Sequence, residues 1–151
     1  MKLSIASALA HKPHLLILDE ATSGLDPIIR SDILDILLDF MQDESHAILF
    51  SSHITSDLEK IADYITFIHE GKIVFDRSKD DLIDRCGILK CGASDFAKVD
   101  KKDLVRWRKN ELGYEALVMD REANRRKYSG LVVDNATIDE IMLLYVKGEK
   151  Q

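Results

Sequence analysis

The sequence is short of cysteine and has no long hydrophobic run. Only two of its 151 residues are cysteines, Cys86 and Cys91. Two thiols are fewer ligands than a structural zinc site needs, so the sequence predicts unpaired thiols. Every apolar run falls short of the roughly 18 to 20 residues that span a bilayer, and the first residues are too lightly apolar for a signal peptide. These absences predict a cytosolic protein.

Basic charge is also in deficit. The net charge is -6, and residues 1–89 carry 8 basic against 16 acidic side chains, whereas residues 90–128 carry 11 against 7. The change of sign predicts a domain boundary near residue 88, with domains over 1–88 and 89–151. The stretch 121–130 is basic, but the chain as a whole is acidic and no aromatic platform on which bases could stack lies beside the stretch. Both observations argue against a nucleic-acid partner.

Two short apolar runs organise the first half. Residues 15–18, LLIL, are typical of a strand covered on both faces. A second run, AILFSS, follows at 47–52. Between them, Asp26 and Pro27 match the N-cap and first position of a helix. Strand, helix and strand in this order predict a crossover between parallel strands, and hence an α/β fold.

The flanking segments complete the prediction. In the first half they are a helix from residue 1 to 12, a helix with Ser56 and Glu59 as a capping box, a hairpin over 64–76 turning near Glu70–Gly71, and a short helix over 78–87 ended by Gly87. After residue 88 the patterns predict strands at 88–92, 95–99, 114–120 and 128–135, a helix over 101–112, a charged turn at 121–127 and a final helix capped by Thr137. The second part is therefore predicted to be a small α+β domain.

Two adjacent acids, Asp19 and Glu20, directly follow the first apolar run. Mg²⁺ prefers oxygen ligands and keeps several waters, so one carboxylate plus phosphates can hold it. The next carboxylate can polarise an attacking water. His53 follows the neighbouring strand, from which it could touch a terminal phosphate. These residues indicate a metal–nucleotide site for phosphoryl transfer, a reaction that depends mainly on positioning and charge neutralisation.

The combination of LLILDE at 15–20, SGLD at 23–26 and SSH at 51–53 resembles the nucleotide-binding subunits of ABC transporters. The likeness continues through the hairpin at 64–76 and extends from residue 1 to about residue 86. It implies an α/β fold that forms the C-terminal part of a P-loop NTPase parallel sheet, a βαβ unit plus a hairpin, followed by the small α+β domain.

The resemblance also implies roles for single residues. Asp19, in the Walker B strand, would hold Mg²⁺, and Glu20 would be the catalytic base. His53 would be the switch histidine on the γ-phosphate of ATP. Ala21 stands where many members have proline. The D-loop would contribute three residues that contact the opposite subunit's nucleotide site: Ser23, Gly24 and Asp26.

A phosphate-binding loop of the pattern G-x-x-x-x-G-K-[ST] is missing from the sequence. Of the seven glycines only Gly71 precedes a lysine, and no hydroxyl residue follows it. The family's signature motif, glutamine loop and adenine-stacking aromatic are missing as well. We therefore expect a C-terminal fragment that begins just past the signature and is inactive alone. A truncated or split reading frame, an excised fragment, and a short protein that pairs with a separate N-terminal half remain three alternatives.

The resemblance implies an ATP-hydrolysing subunit of a transporter, of the exporter kind that works with ABC-2-type membrane subunits. Its cofactors would be ATP and Mg²⁺, and its partners a transmembrane permease and a second ATPase subunit, as a homodimer or a pair. It would lie at the inner face of the cell membrane through the permease. Two alternatives are a non-catalytic regulatory or oligomerisation module acting through the C-terminal domain, and a soluble ABC-type ATPase of DNA repair or translation.

Overall fold

The computed structural model describes residues 2–150, with Lys2 described by its backbone only. The chain folds as a mixed α/β protein with several sheets and forms two compact units, one ending at Ala62 and the other beginning at Asp63. The first unit contains α1 (Lys2–Ala10), β1 (Leu15–Asp19), α2 (Pro27–Phe40), β2 (Ala47–Ser51) and α3 (Thr55–Ile61). The second contains β3 (Tyr64–His69), β4 (Lys72–Ser78), a π-helical segment (Asp81–Arg85), β5 (Gly87–Cys91), α4 (Ala93–Phe96), a 3₁₀ turn (Lys101–Asp103), β6 (Leu104–Asn110), β7 (Gly113–Val118), α5 (Arg121–Lys127), β8 (Val132–Asn135) and α6 (Ile138–Lys147).

In the first unit, β1 and β2 pair in parallel, from Leu15 opposite Ala47 to Asp19 opposite Ser51. This confirms the predicted parallel pair. The helices α1 and α2 pack against one face of the pair, and their core contains Ile5, Leu16, Leu18, Ala21, Ile33 and Leu37. The prediction that the first strand is covered on both faces is wrong for the described residues, because its other face leaves Leu15 54% and Ile17 66% exposed.

Capping decides where the helices of the first unit begin. The Asp26 carboxylate accepts hydrogen bonds from the backbone N–H groups of Ile28 and Ile29, and Pro27 is the first helical residue of α2, as predicted. The capping box predicted for the next helix is wrong, because Ser56 lies inside α3 and no side chain in the described part of the chain caps this helix.

The second unit contains the hairpin β3–β4 and a four-stranded antiparallel sheet in the order β6-β7-β5-β8. Glu70 and Gly71 both have positive φ, 49° and 72°, as a two-residue hairpin turn of this hand requires. The predicted hairpin is therefore confirmed. The main core of this unit contains Leu89, Phe96, Val99, Leu104, Ala116, Val118 and Val133.

The hairpin packs with the elements that follow it in the chain. Phe75 of β4 is buried, and its ring centroid lies 5.3 Å from that of Tyr145 in α6. The structural division therefore falls at residues 62 and 63. The boundary predicted near residue 88 lies inside the second unit, beside the first residues of β5, and stays a prediction about the limits of the family domain.

Three predicted elements after residue 88 are wrong. The segment 101–112 contains a 3₁₀ turn and the strand β6 rather than a helix, residues 121–127 form the helix α5 rather than a turn, and residues 95–99 form no strand. Phe96 ends α4 instead and stacks on Tyr114 at a centroid distance of 4.0 Å. The short helix predicted over 78–87 is the π-helical segment, and Gly87 opens β5.

The last helix is confirmed in position and in its cap. Thr137 accepts a hydrogen bond from the backbone N–H of Glu140, whose carboxylate accepts one from the backbone N–H of Thr137. This reciprocal capping box fixes the start of α6, which buries Ile138, Ile141 and Leu144. None of the helices within residues 2–150 is long and apolar enough to cross a membrane.

Candidate functional site

The candidate site lies where β1 and β2 end. Because the two strands are parallel and in register, their carboxyl ends reach the same edge, with Asp19 directly opposite Ser51. Glu20 and His53 follow these strands by one and two residues. The pairing of two strands separated by a helix therefore places residues about 30 positions apart in the sequence at one site.

The Ser51 hydroxyl joins the two strand ends. It donates to Oδ1 of Asp19 at 2.6 Å and accepts from the backbone N–H of Glu20 at 3.0 Å. The same N–H lies 3.1 Å from the Ser51 carbonyl oxygen. Ser51 thus fixes the orientation of one Asp19 oxygen, and among residues 2–150 the other oxygen remains available for a ligand.

Glu20 and His53 are in direct contact. Nδ1 of His53 lies 2.6 Å from Oε2 of Glu20, and the two side chains are 68% and 41% exposed, respectively. An ionised carboxylate can only accept, so Nδ1 carries the proton in this hydrogen bond. The Nε2 of His53 makes no hydrogen bond within residues 2–150. The imidazole therefore presents a free nitrogen to solvent while the carboxylate sets its orientation.

The backbone at Glu20 is unusual. Its φ is 48°, in the left-handed region that non-glycine residues rarely adopt. Such a conformation persists when the surrounding contacts impose it. Here the backbone hydrogen bond from Ser23 to the Glu20 carbonyl oxygen, at 3.0 Å, closes the turn on one side, and the bonds to Ser51 hold the other. The direction of the Glu20 side chain is therefore set largely by the backbone.

The predicted D-loop residues occupy the turn between β1 and α2. Gly24 has φ 71°, and the Asp26 carboxylate is engaged in capping α2. Ser23 is half-buried and bonds to Glu20 through its backbone. The structure therefore connects Ser23 to the site through the turn, whereas the Asp26 side chain serves the helix.

A buried polar network behind this turn was not predicted. Oγ1 of Thr22 donates to Oδ2 of Asp57 at 2.7 Å, and both residues are only 1% exposed. Nε of Arg30 lies 3.5 Å from the other carboxylate oxygen of Asp57. The sequence does contain a signal for Asp57, since this acid takes an inward position in the helical series Ile54, Asp57, Leu58 and Ile61.

The donor set at the strand ends suits a hard cation. Asp19 offers a free carboxylate oxygen, and its neighbours are hydroxyl and carboxylate oxygens, which Mg²⁺ prefers. The described residues contain no group of three or more His, Cys, Asp and Glu side chains that could hold a metal by themselves. A magnesium ion here would take one protein carboxylate and fill its remaining positions with water and phosphate oxygens.

The chain is a homologue of the ATP-binding proteins of ABC transporters. The lantibiotic transport ATP-binding protein SrtF of Streptococcus pyogenes is 47% identical over 79 residues, which cover 52% of this chain and 34% of the relative. The bacitracin transport ATP-binding protein BcrA of Bacillus licheniformis is 42% identical over 84 residues, which cover 56% of this chain and 28% of the relative.

A third relative matches almost the whole chain. The energy-coupling factor transporter ATP-binding protein EcfA2 of Staphylococcus aureus is 28% identical over 146 residues, which cover 97% of this chain and 45% of the relative. The aligned part amounts to 34% of the length of the lantibiotic relative and to less than half of each of the other two. No protein-family model matches the chain.

Proposed function

We propose that the first unit supplies the water-activating half of an ATP-hydrolysis site in the ATP-binding subunit of an ABC transporter. The contact between Glu20 and His53 beside Asp19 carries this proposal. Three groups lie together where β1 and β2 end. They are a carboxylate that can accept a proton, an imidazole nitrogen that can donate one, and a carboxylate oxygen that can bind a cation. Hydrolysis of a nucleoside triphosphate needs these three functions.

Each side chain has a definite task in this reaction. The free oxygen of Asp19 would hold Mg²⁺, which neutralises charge on the phosphates when bound. The second oxygen of Glu20, which does not contact His53, orients a water molecule and accepts its proton as the water attacks. In the imidazolium form, which carries a proton on both ring nitrogens, Nε2 of His53 would donate to an oxygen of the terminal phosphate, while the bond from Nδ1 to Glu20 keeps the ring turned toward it.

The phosphate cradle belongs to a different stretch of polypeptide in this proposal. The 151 residues contain no loop of the pattern G-x-x-x-x-G-K-[ST], whose backbone N–H groups would surround the phosphates. Ser23, Gly24 and Asp26 would lie at the contact with a second ATPase subunit. We accordingly expect residues 1–151 alone to bind Mg-ATP weakly, and a micromolar dissociation constant by calorimetry would contradict this division.

We further propose an exporter as the setting, with a transmembrane permease as partner and a place at the inner face of the membrane. The support is the similarity to two relatives described as lantibiotic and bacitracin transport proteins, each of which matches more than half of this chain.

A hybrid enzyme tests the catalytic assignment. The segment of the lantibiotic relative that aligns with this chain is replaced by the corresponding residues of this chain, and ATP binding and turnover are measured. We expect Glu20→Gln to keep ATP binding and to lower kcat by about 100-fold or more, because it removes the general base. The matched control is Glu44→Gln, an exposed glutamate in the loop before β2, which should leave kcat unchanged.

Two results would count against the proposal. Normal turnover of the Glu20→Gln hybrid would reject the assigned base. A folded hybrid that binds ATP but never hydrolyses it, even with Glu20 intact, would favour a non-catalytic role for this chain.

A further inference from the structure

The buried carboxylate of Asp57 connects the two chain segments that carry Glu20 and His53. Asp57 is four residues after His53, and Thr22 is two residues after Glu20. The hydrogen bond from Oγ1 of Thr22 to Oδ2 of Asp57, at 2.7 Å, therefore links the segment that carries the histidine to the segment that carries the glutamate.

This link is shielded from water, whereas the pair that it connects is not. Thr22 and Asp57 are each 1% exposed, while the side chains of His53 and Glu20 are 68% and 41% exposed. Exposed ion pairs contribute little to holding two segments together, because water and salt screen them and their side chains lose freedom. A buried, charge-assisted hydrogen bond is much stronger and more exact in its geometry.

Other restraints on this end of α3 are few. The helix has seven residues, and no side chain within 2–150 caps its start. Its far end is held on α2 by Lys60, which lies 2.7 Å from a carboxylate oxygen of Asp35. That ion pair is solvent-exposed and lies almost one helical turn beyond Asp57. Ser51 holds the strand side of the histidine segment through Asp19 and the Glu20 N–H. The buried bond to Thr22, helped by Arg30, is thus the nearest buried side-chain restraint on its helix side.

We propose that Asp57 is a positioning residue that, through Thr22, holds the His53 segment against the Glu20 turn and so maintains the contact between imidazole and carboxylate. Asp57 contacts neither the Glu20 carboxylate nor the His53 imidazole. It acts on their contact through the segments that carry them. The inference deepens the proposed function and rests on it for its catalytic consequence, but the positioning itself can be measured without nucleotide.

The test uses the ¹⁵N resonances of the imidazole rings in the 151-residue chain, which report the hydrogen bonding of each ring nitrogen. The chain has five histidines, and the His53→Gln spectrum assigns the signal of interest. Glu20→Gln defines the change that occurs when Nδ1 loses its ionised partner. We expect Asp57→Asn and Thr22→Val to move the His53 signals in the same direction as Glu20→Gln.

Two variants serve as matched controls. Thr22→Ser keeps the hydroxyl donor and should retain the wild-type His53 signals. Asp35→Asn removes the exposed ion pair with Lys60 on the same two helices and should also leave them unchanged. A general loosening of the α2–α3 contact would move the signals in all these variants, so this pattern separates positioning of His53 from ordinary helix packing.

The outcomes decide as follows. Wild-type His53 signals in a folded Asp57→Asn variant would overturn the inference and leave the proposed function intact. Should Asp57→Asn fail to fold, judged by loss of methyl dispersion, Thr22→Val decides, and failure of both to fold would overturn the inference in favour of a purely structural network. Unchanged signals in Glu20→Gln would show that the histidine contact does not exist, which defeats both proposals.

A second readout connects the network to turnover. In the hybrid enzyme, Asp57→Asn should lower kcat on the order of 100-fold at unchanged KM for ATP, because small misplacements of catalytic groups have effects of this size. Thr22→Ser should keep most of kcat. A reduced amount of active enzyme with wild-type kcat per bound nucleotide would contradict the positioning role.

Discussion

Replacing Gly113 by alanine should strongly destabilise the second unit. Gly113 opens β7 and pairs with the end of β6, and its φ is 144°. A Cβ built at this position would lie 2.3 Å from the carbonyl oxygen of Cys91 in the neighbouring strand β5. Since the obstacle is backbone, it cannot move aside as a flexible side chain could, and the strands must shift.

The magnitude follows from two contributions. A non-glycine residue held in such a backbone conformation costs about 1–3 kcal/mol, and forcing extra atoms into a packed site costs about 1–3 kcal/mol more. We therefore expect Gly113→Ala to lower the free energy of unfolding by roughly 2–6 kcal/mol, a large share of the 5–15 kcal/mol typical of a domain.

The chain provides its own probe and its own control. Trp107, the single tryptophan, lies in β6 opposite Ala116 of β7, so its fluorescence reports on this sheet during urea denaturation. In the control, Gly130→Ala, a Cβ meets nothing within 4 Å and the backbone φ is not positive. We expect that variant to change stability by no more than about 1 kcal/mol. A wild-type midpoint for Gly113→Ala would refute the described pairing of β5 with β7.

Three further predictions concern the second unit. Hydrogen bonds from Lys127 and then from Tyr128 lower the pKa of Asp103. The stability that Asp103 contributes is therefore complete above about pH 4 and is lost as the pH falls through the lowered pKa. Asp103→Asn should flatten that part of an acid-denaturation profile. Thr137→Ala should destabilise by about 1 kcal/mol in the same fluorescence assay, because it removes a capping box. Burial raises the pKa of both thiols, but Cys86 is fully buried and Cys91 only half-buried, so a thiol reagent should modify Cys91 first in the folded protein and both equally in denaturant.

The first unit was largely predictable because its signals are local. The apolar runs before Asp19 and within 47–52, and the Asp26–Pro27 helix start, each specify one element without help from distant residues. The proximity of Glu20 and His53 follows from a single further inference, that the two strands are parallel. The resemblance to transporter ATPases supplied the roles expected of these residues, and those roles remain proposals.

The network around Asp57 was not predicted because its partners are remote. Thr22 and Asp57 are 35 positions apart; Thr22 lies between the LLILDE and SGLD motifs and Asp57 lies four residues after His53, and no role was predicted for either. Likewise, Ser51 belonged to the SSH motif, but no role was predicted for its hydroxyl. Its contact with Asp19 depends on register, which the sequence fixes only loosely.

The second unit was predicted less well because tertiary contacts overrule its local patterns. Residues 104–107 place apolar side chains at a helix-like spacing, yet β6 forms since β7 offers a partner and Leu104 enters the core. Residues 121–127 are so charged that they resemble a turn, but Asp120 caps α5 by accepting from the backbone N–H of Ala123 at 2.8 Å. Arg125 also pairs with Glu122 at 2.9 Å, one turn earlier along that helix.

At Glu20 the left-handed backbone conformation lowers stability, while the carboxylate side chain serves the proposed reaction. Glycine adopts a φ of 48° without strain, so a Glu20→Gly chain would fold more comfortably while losing its proton acceptor. Selection for thermal tolerance alone would therefore erode this carboxylate. If proteins descended from this one keep Glu20, that would indicate that they still depend on the activation of water at this edge of the sheet.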